Sequence, residues 1–85
     1  MKYYIGTIEE RNGDFEYRDK YLFATKGDPS KYAEKQTREW RGCTNKDWDR
    51  QHEGYWCDCT LIFNGGYREI SEDDYNVLTN YLAVL

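Results

Sequence analysis

Cys43, His52, Cys57 and Cys59 are all the cysteines and the only histidine of this chain, and they fall within 17 positions. Thiolate sulfur and imidazole nitrogen are the donors of closed tetrahedral zinc sites, so these four residues make one complete ligand set. In a strand Cys57 and Cys59 would project to the same side, and the segment before them could return Cys43 and His52. The spacing departs from the usual finger patterns of close cysteine and histidine pairs. A competing role packs Cys57 and Cys59 into the core beside Leu61 and Phe63 as small hydrophobes, and the spacing favours it.

The same residues offer a thiol nucleophile, Cys43, with His52 as its base and Asp47 or Asp49 to orient the imidazole. No nucleophile signature surrounds them. Carboxylates cluster at Glu9-Glu10, at Asp47 and Asp49, and at Glu72-Asp73-Asp74. Hydrolytic chemistry needs two acids to converge in a cleft. The last cluster is accounted for by helix capping, and the first by a hairpin end in water. Gly65-Gly66 precedes a strand rather than a helix, so it is no phosphate loop. The expectation is a noncatalytic chain without a cofactor.

Aromatic residues interleave with arginine at Trp40-Arg41, Trp48, Arg50 and Tyr55-Trp56. Rings on a sheet can stack single-stranded bases. The formal net charge of −4 and the acids scattered through the same segment oppose a phosphate partner. Tyr and Trp also supply large contact area at low rotamer entropy, and both are enriched at protein interfaces. Trp40, Trp48, Tyr55 and Trp56 are the expected interaction surface, with a protein partner.

Those residues need a frame. Leu, Ile, Val and Phe supply only 14 of 85 residues, while three Trp, nine Tyr and three Phe supply 15 rings. The core is therefore expected to be built of rings, in one domain spanning residues 1–85. No apolar stretch approaches the ~18 residues of a membrane span, and Met1-Lys2-Tyr3-Tyr4 is no apolar leader. A cytoplasmic location, with reduced thiols, is the expectation.

Lys2 to Arg11 has strand composition and ends at Asn12-Gly13, a strong hairpin signal. Phe15, Tyr17, Tyr21, Phe23 and Thr25 then alternate with polar residues, as a half-buried strand does, and Asp19 interrupts the apolar face with a bulge or an exposed stretch. Asp28-Pro29 begins a helix whose buried stripe is Tyr32, Ala33, Gln36 and Trp40, closed by Gly42. Residues 43–54 read as one long loop. Tyr55 to Phe63 is a strand with Tyr55, Cys57, Cys59, Leu61 and Phe63 on one side, Asn64-Gly65-Gly66 a hairpin turn, and Tyr67 to Ile70 a returning strand. Ser71 caps a final helix carrying Tyr75, Leu78, Tyr81, Leu82 and Leu85. The fold class predicted is α+β, ββαββα, with a four-stranded antiparallel sheet covered on one face by both helices. Free hairpin edges leave room for two copies to pair as a homodimer.

Met1-Lys2-Tyr3-Tyr4-Ile5-Gly6-Thr7-Ile8-Glu9, the turn Asn12-Gly13 and Glu69-Ile70-Ser71-Glu72-Asp73 resemble the ends of a group of short uncharacterised proteins from phages and cyanobacteria. The resemblance implies no activity. It points to a phage accessory protein, a host-takeover or anti-defence factor that binds host machinery. The alternative is a small zinc- or nucleic-acid-binding module built on residues 43–59.

Overall fold

A two-residue loop, Gly13-Asp14, joins strands β1 (Lys2–Asn12) and β2 (Phe15–Thr25) in register from Lys2 opposite Thr25 to Asn12 opposite Phe15. Gly13 adopts φ 59°, the backbone a tight turn needs at its first central position. The turn thus sits one residue later than Asn12-Gly13 suggests. The pairing is unbroken at Asp19, so of the bulge or exposed stretch expected there it is the exposed stretch that occurs, with residues 15–18 and Lys20 open to solvent.

A computed structural model describes all residues 1–85. Helix α1 (Pro29–Glu39) follows β2, and the Asp28 carboxylate accepts the Ser30 N–H at 2.9 Å as its N-cap. Gly42, at φ 74°, ends the run beyond it. The segment expected to be one long loop holds a 3-10 turn (Asn45–Asp47) and a short strand, β3 (Trp48–Asp49). Strands β4 (Gly54–Cys57) and β5 (Thr60–Ile70), helix α2 (Glu72–Leu78) and strand β6 (Ala83–Val84) complete the chain.

The sheet order is β3-β4-β5-β1-β2-β6. It is six-stranded and mixed, because β6 runs parallel to β2, where four antiparallel strands were expected. Two features shift the strand boundaries. The chain reverses at Asp58-Cys59, with Cys57 opposite Thr60, and Asp58 takes φ 54°. Asn64-Gly65-Gly66 is no hairpin turn but lies inside β5, where the register against β1 slips between Gly6 and Ile8. Gly66 (φ 95°) bends the strand there, and a Cβ on Gly65 would stand 2.9 Å from Thr7 Cγ2. Turn chemistry serves a bulge because β1 remains available as partner on both sides of it.

Strand alternation assigns the faces. Tyr4, Ile8, Tyr21, Phe23, Tyr55 and Ile62 share one face and join Ala33 of α1 and Cys43 in a buried core. Rings dominate it, as composition predicts: Phe23 stacks on Tyr4 at 5.0 Å and on Tyr32 at 4.8 Å. Helix α2 does not lie on this face. Its Tyr75 ring meets Tyr3 at 4.8 Å, and Tyr3 points opposite to Tyr4, so the two helices contact opposite faces. Leu78 ends α2, and the chain then extends, with the Leu85 N–H donating to the Leu22 carbonyl at 2.9 Å. The helical stripe expected from Tyr75 to Leu85 is therefore cut at Leu78, after about two turns of helix, because β6 finds a partner on the edge of β2.

Candidate interaction surface

Away from α2, the second face of the sheet is open. Register places Ile5, Thr7, Glu9 and Arg11 of β1, Glu16, Arg18 and Lys20 of β2, Phe63 and Arg68 of β5, and Trp56 of β4 on it. Ion pairs cross it in rows: Arg18 to Glu9 at 3.1 Å and Arg11 to Glu16 at 3.1 Å. Lys20 donates to Thr7 Oγ1 at 2.7 Å.

At one end of this face Asp49 organises two rings. Its carboxylate accepts the Trp56 indole N–H at 2.8 Å, the His52 ring Nδ1 at 2.8 Å and the Gln51 amide at 2.9 Å. His52 and Trp56 meet edge to face at 5.9 Å. The local sequence explains the geometry: Asp49 ends β3, the chain turns through Arg50–Glu53 with Glu53 at φ 54°, and Gly54 enters β4. A Cβ on Gly54 would lie 2.8 Å from the Ile62 carbonyl oxygen, so only glycine lets this turn settle against β5. Beside it Arg11 lies over the Phe63 ring at 4.8 Å, a cation–π contact. Arg11, His52, Glu53, Leu61, Phe63 and Asn64 line the cleft between them.

Hydrogen bonds from Trp56 and then His52 hold the Asp49 carboxyl down at about 2, below its ordinary 3.8. A depressed carboxylate supports the folded arrangement above its ordinary value and loses that support as pH falls through its folded value. The Trp56 indole N–H resonance should therefore titrate near pH 2, while those of Trp40 and Trp48 do not follow it. A midpoint near 4 would show that the carboxylate does not hold the ring.

The residues singled out from sequence are dispersed. Trp56 is 41% exposed on the open face, and Trp48 is 43% exposed on the opposite one. Tyr55 is buried, correcting its assignment to the surface; its hydroxyl donates to Glu34 at 2.9 Å, and burial followed by that bond pushes its pKa to about 12. Trp48 packs edge to face on Tyr55 at 5.0 Å, and Trp40 leans against the core from the end of α1. The four rings do not make one surface.

The proposed zinc ligands also part. Cys43 is buried beside Cys57, whose thiol donates to the Arg41 carbonyl at 3.5 Å, all on the α1 face. Cys59 is exposed in the Asp58-Cys59 turn, and His52 faces the other side of the sheet with Trp56. No three His, Cys, Asp or Glu side chains are grouped to hold a metal. The turn at Asp58 reverses the alternation, so Leu61 and Phe63 point away from Tyr55 and Cys57 rather than with them. Cys43 has no access to His52 as a base, and burial, then Cys57, raises its thiol pKa to about 11. Of the two acids considered for orienting His52, Asp49 does so; Asp47 instead accepts the Thr44 N–H at 2.8 Å in a capping box.

Sequence reasoning missed Arg11 and Phe63. They stand 52 positions apart, and only the β1–β5 register joins them. No helix of the chain is long and apolar enough to cross a membrane. Comparison with known proteins finds no matching family model, no matching curated protein and no matching solved structure.

Proposed function

We propose that this chain is a noncatalytic protein-interaction domain whose contact surface is the open sheet face around Trp56, His52, Arg11 and Phe63. One observation carries the reading: Asp49 fixes two exposed rings through a set of hydrogen bonds that the buried core does not need. Side chains ordered before binding lose little rotamer freedom when a partner arrives, which favours affinity. A large half-exposed indole beside an arginine–aromatic pair is the composition of an interface centre. The phage resemblance would make the partner a host protein.

Affinity capture tests this directly with four baits, the native protein and three variants. The native protein is expected to retain a defined partner that Trp56→Ala and Arg11→Ala each lose by at least tenfold, a central-contact effect of about 1.4 kcal/mol or more. Trp48→Ala, altered on the other face, should retain it. Equal retention by all baits would remove the open face from the account, and bound nucleic acid in place of protein would replace the partner class.

A further inference from the structure

Strand β2 has an edge that the fold leaves half unpaired. β6 pairs only with Tyr21 and Leu22, and the Gly13-Asp14 turn closes the other end, so Phe15 to Lys20 has no outer neighbour. The Leu22 carbonyl points outward to the Leu85 amide. Alternate residues of a strand direct their amides and carbonyls to the same side, so Glu16, Arg18 and Lys20 offer theirs on this edge. Phe15 and Tyr17 lie stacked at 6.5 Å, 66% and 54% exposed, with no covering element.

We propose that this edge pairs with the same edge of a second copy, antiparallel about a two-fold axis at Tyr17. The charge order selects that register. With Tyr17 opposite Tyr17 of the other copy, Glu16 faces Arg18 and Asp14 faces Lys20, each pair formed twice by symmetry. Registers centred on Glu16 or Arg18 set like charges against each other, which is unfavourable. The pairing also continues rows already present in one copy. Arg11 bonds Glu16 and Glu9 bonds Arg18, so the joined sheets carry Arg11, Glu16, Arg18 and Glu9 in alternating sign across the seam. The outward groups of Glu16 and Arg18 exchange backbone hydrogen bonds, and the Phe15 and Tyr17 rings of the two copies meet on the opposite face. The free stretch ends where β6 begins, so the partner's turn abuts β6 without displacing it.

This inference is independent of the contact surface around Trp56, which stays open in the joined sheet. Analytical ultracentrifugation of the full chain tests it. The native protein should sediment at twice its 10.3 kDa mass. Glu16→Arg and Arg18→Glu alone each turn two opposite-charge pairs into like-charge pairs and should weaken association roughly ten- to a hundredfold. Combining them restores opposite charges across the seam and should recover most of the affinity, which a general loss of folding would not. Arg18→Pro removes an outward N–H and leaves the β1 ladder intact, so it should give a folded monomer by circular dichroism. A native monomer at high protein concentration, or a dimer indifferent to all four variants, overturns the proposal.

Discussion

Gly6→Ala should be the most damaging small substitution in this chain, lowering stability by about 3 kcal/mol, the upper end of core overpacking. Gly6 lies opposite Tyr21 on the core face of the β1–β2 hairpin. A Cβ there would fall against Tyr21 Cζ and within 2.6 Å of its Cε1 and hydroxyl. The ring has nowhere to go, since it is fully buried and stacked near Phe23 at 5.7 Å. The absent side chain is thus the space in which a tyrosine sits. For a domain this small, about 3 kcal/mol is a large part of the total. Urea unfolding gives the number, and Gly6→Ala combined with Tyr21→Leu should recover part of it by vacating the clash. A loss under about 0.5 kcal/mol for Gly6→Ala would show that the ring is not held. The Tyr21 hydroxyl has no hydrogen-bond partner, and burial pushes its pKa to about 12. Tyr21→Phe removes an unpaired buried polar group and is expected to stabilise the protein slightly.

The second large effect concerns Arg41, Glu10 and Asp19. Glu10 is buried at the distal end of the core face, and its carboxylate accepts the Arg41 Nε–H. Burial raises the Glu10 pKa, but bonds and charge from Arg41 and a bond from Asp19 outweigh it, so the net shift is downward. Asp19 moves upward, through burial first and then Glu10. Asp19 Oδ2 is itself buried without a hydrogen-bond partner, and burial together with the neighbouring Glu10 carboxylate disfavours its charged form. Arg41→Met removes the only cation from a buried carboxylate that lies beside a second acid. Breaking a fully buried pair costs about 3–5 kcal/mol, and Arg41 is half-exposed, so about 2 kcal/mol is expected. The pH dependence carries the sign. In the native protein the depressed Glu10 carboxyl supports the fold above its ordinary value and loses that support in acid, whereas Asp19, raised, loses its support as pH climbs. Without Arg41 the downward pull on Glu10 is gone, so Arg41→Met should gain stability on mild acidification relative to the native protein. Thermal unfolding at pH 5 and pH 7 measures this, and parallel profiles for the two proteins would refute it.

Local signals in the sequence carried further than its long-range ones. Asp28-Pro29 and Ser71 do begin helices, because a cap is a contact within three residues. The ring-built core followed from composition alone. Asn64-Gly65-Gly66 misled because flexible backbone suits both a turn and a bulge, and only the neighbouring strand decides between them. The true reversal at Asp58-Cys59 was hidden by cysteines that continue the apolar alternation. The turn there reverses the alternation, so Leu61 and Phe63 lie on the open face rather than with Tyr55 and Cys57. The two helices contact opposite faces, which their sequences do not reveal, because an apolar stripe shows that a helix docks but not on which side. Trp56, His52 and Asp49 were each legible as candidates, lying within eight positions. Their union with Arg11 and Phe63 required the register between the first and fifth strands.

Backbone amide and indole resonances of isotope-labelled protein, followed as the captured partner is added, read out the contact face residue by residue. Shifts or broadening are expected at the Trp56 indole, His52, Arg11 and Phe63, with Trp48 and α1 unmoved; this is the outcome for a partner seated on the open face. Perturbations confined to α1 and Trp48, with the Trp56 indole unchanged at saturation, would contradict it.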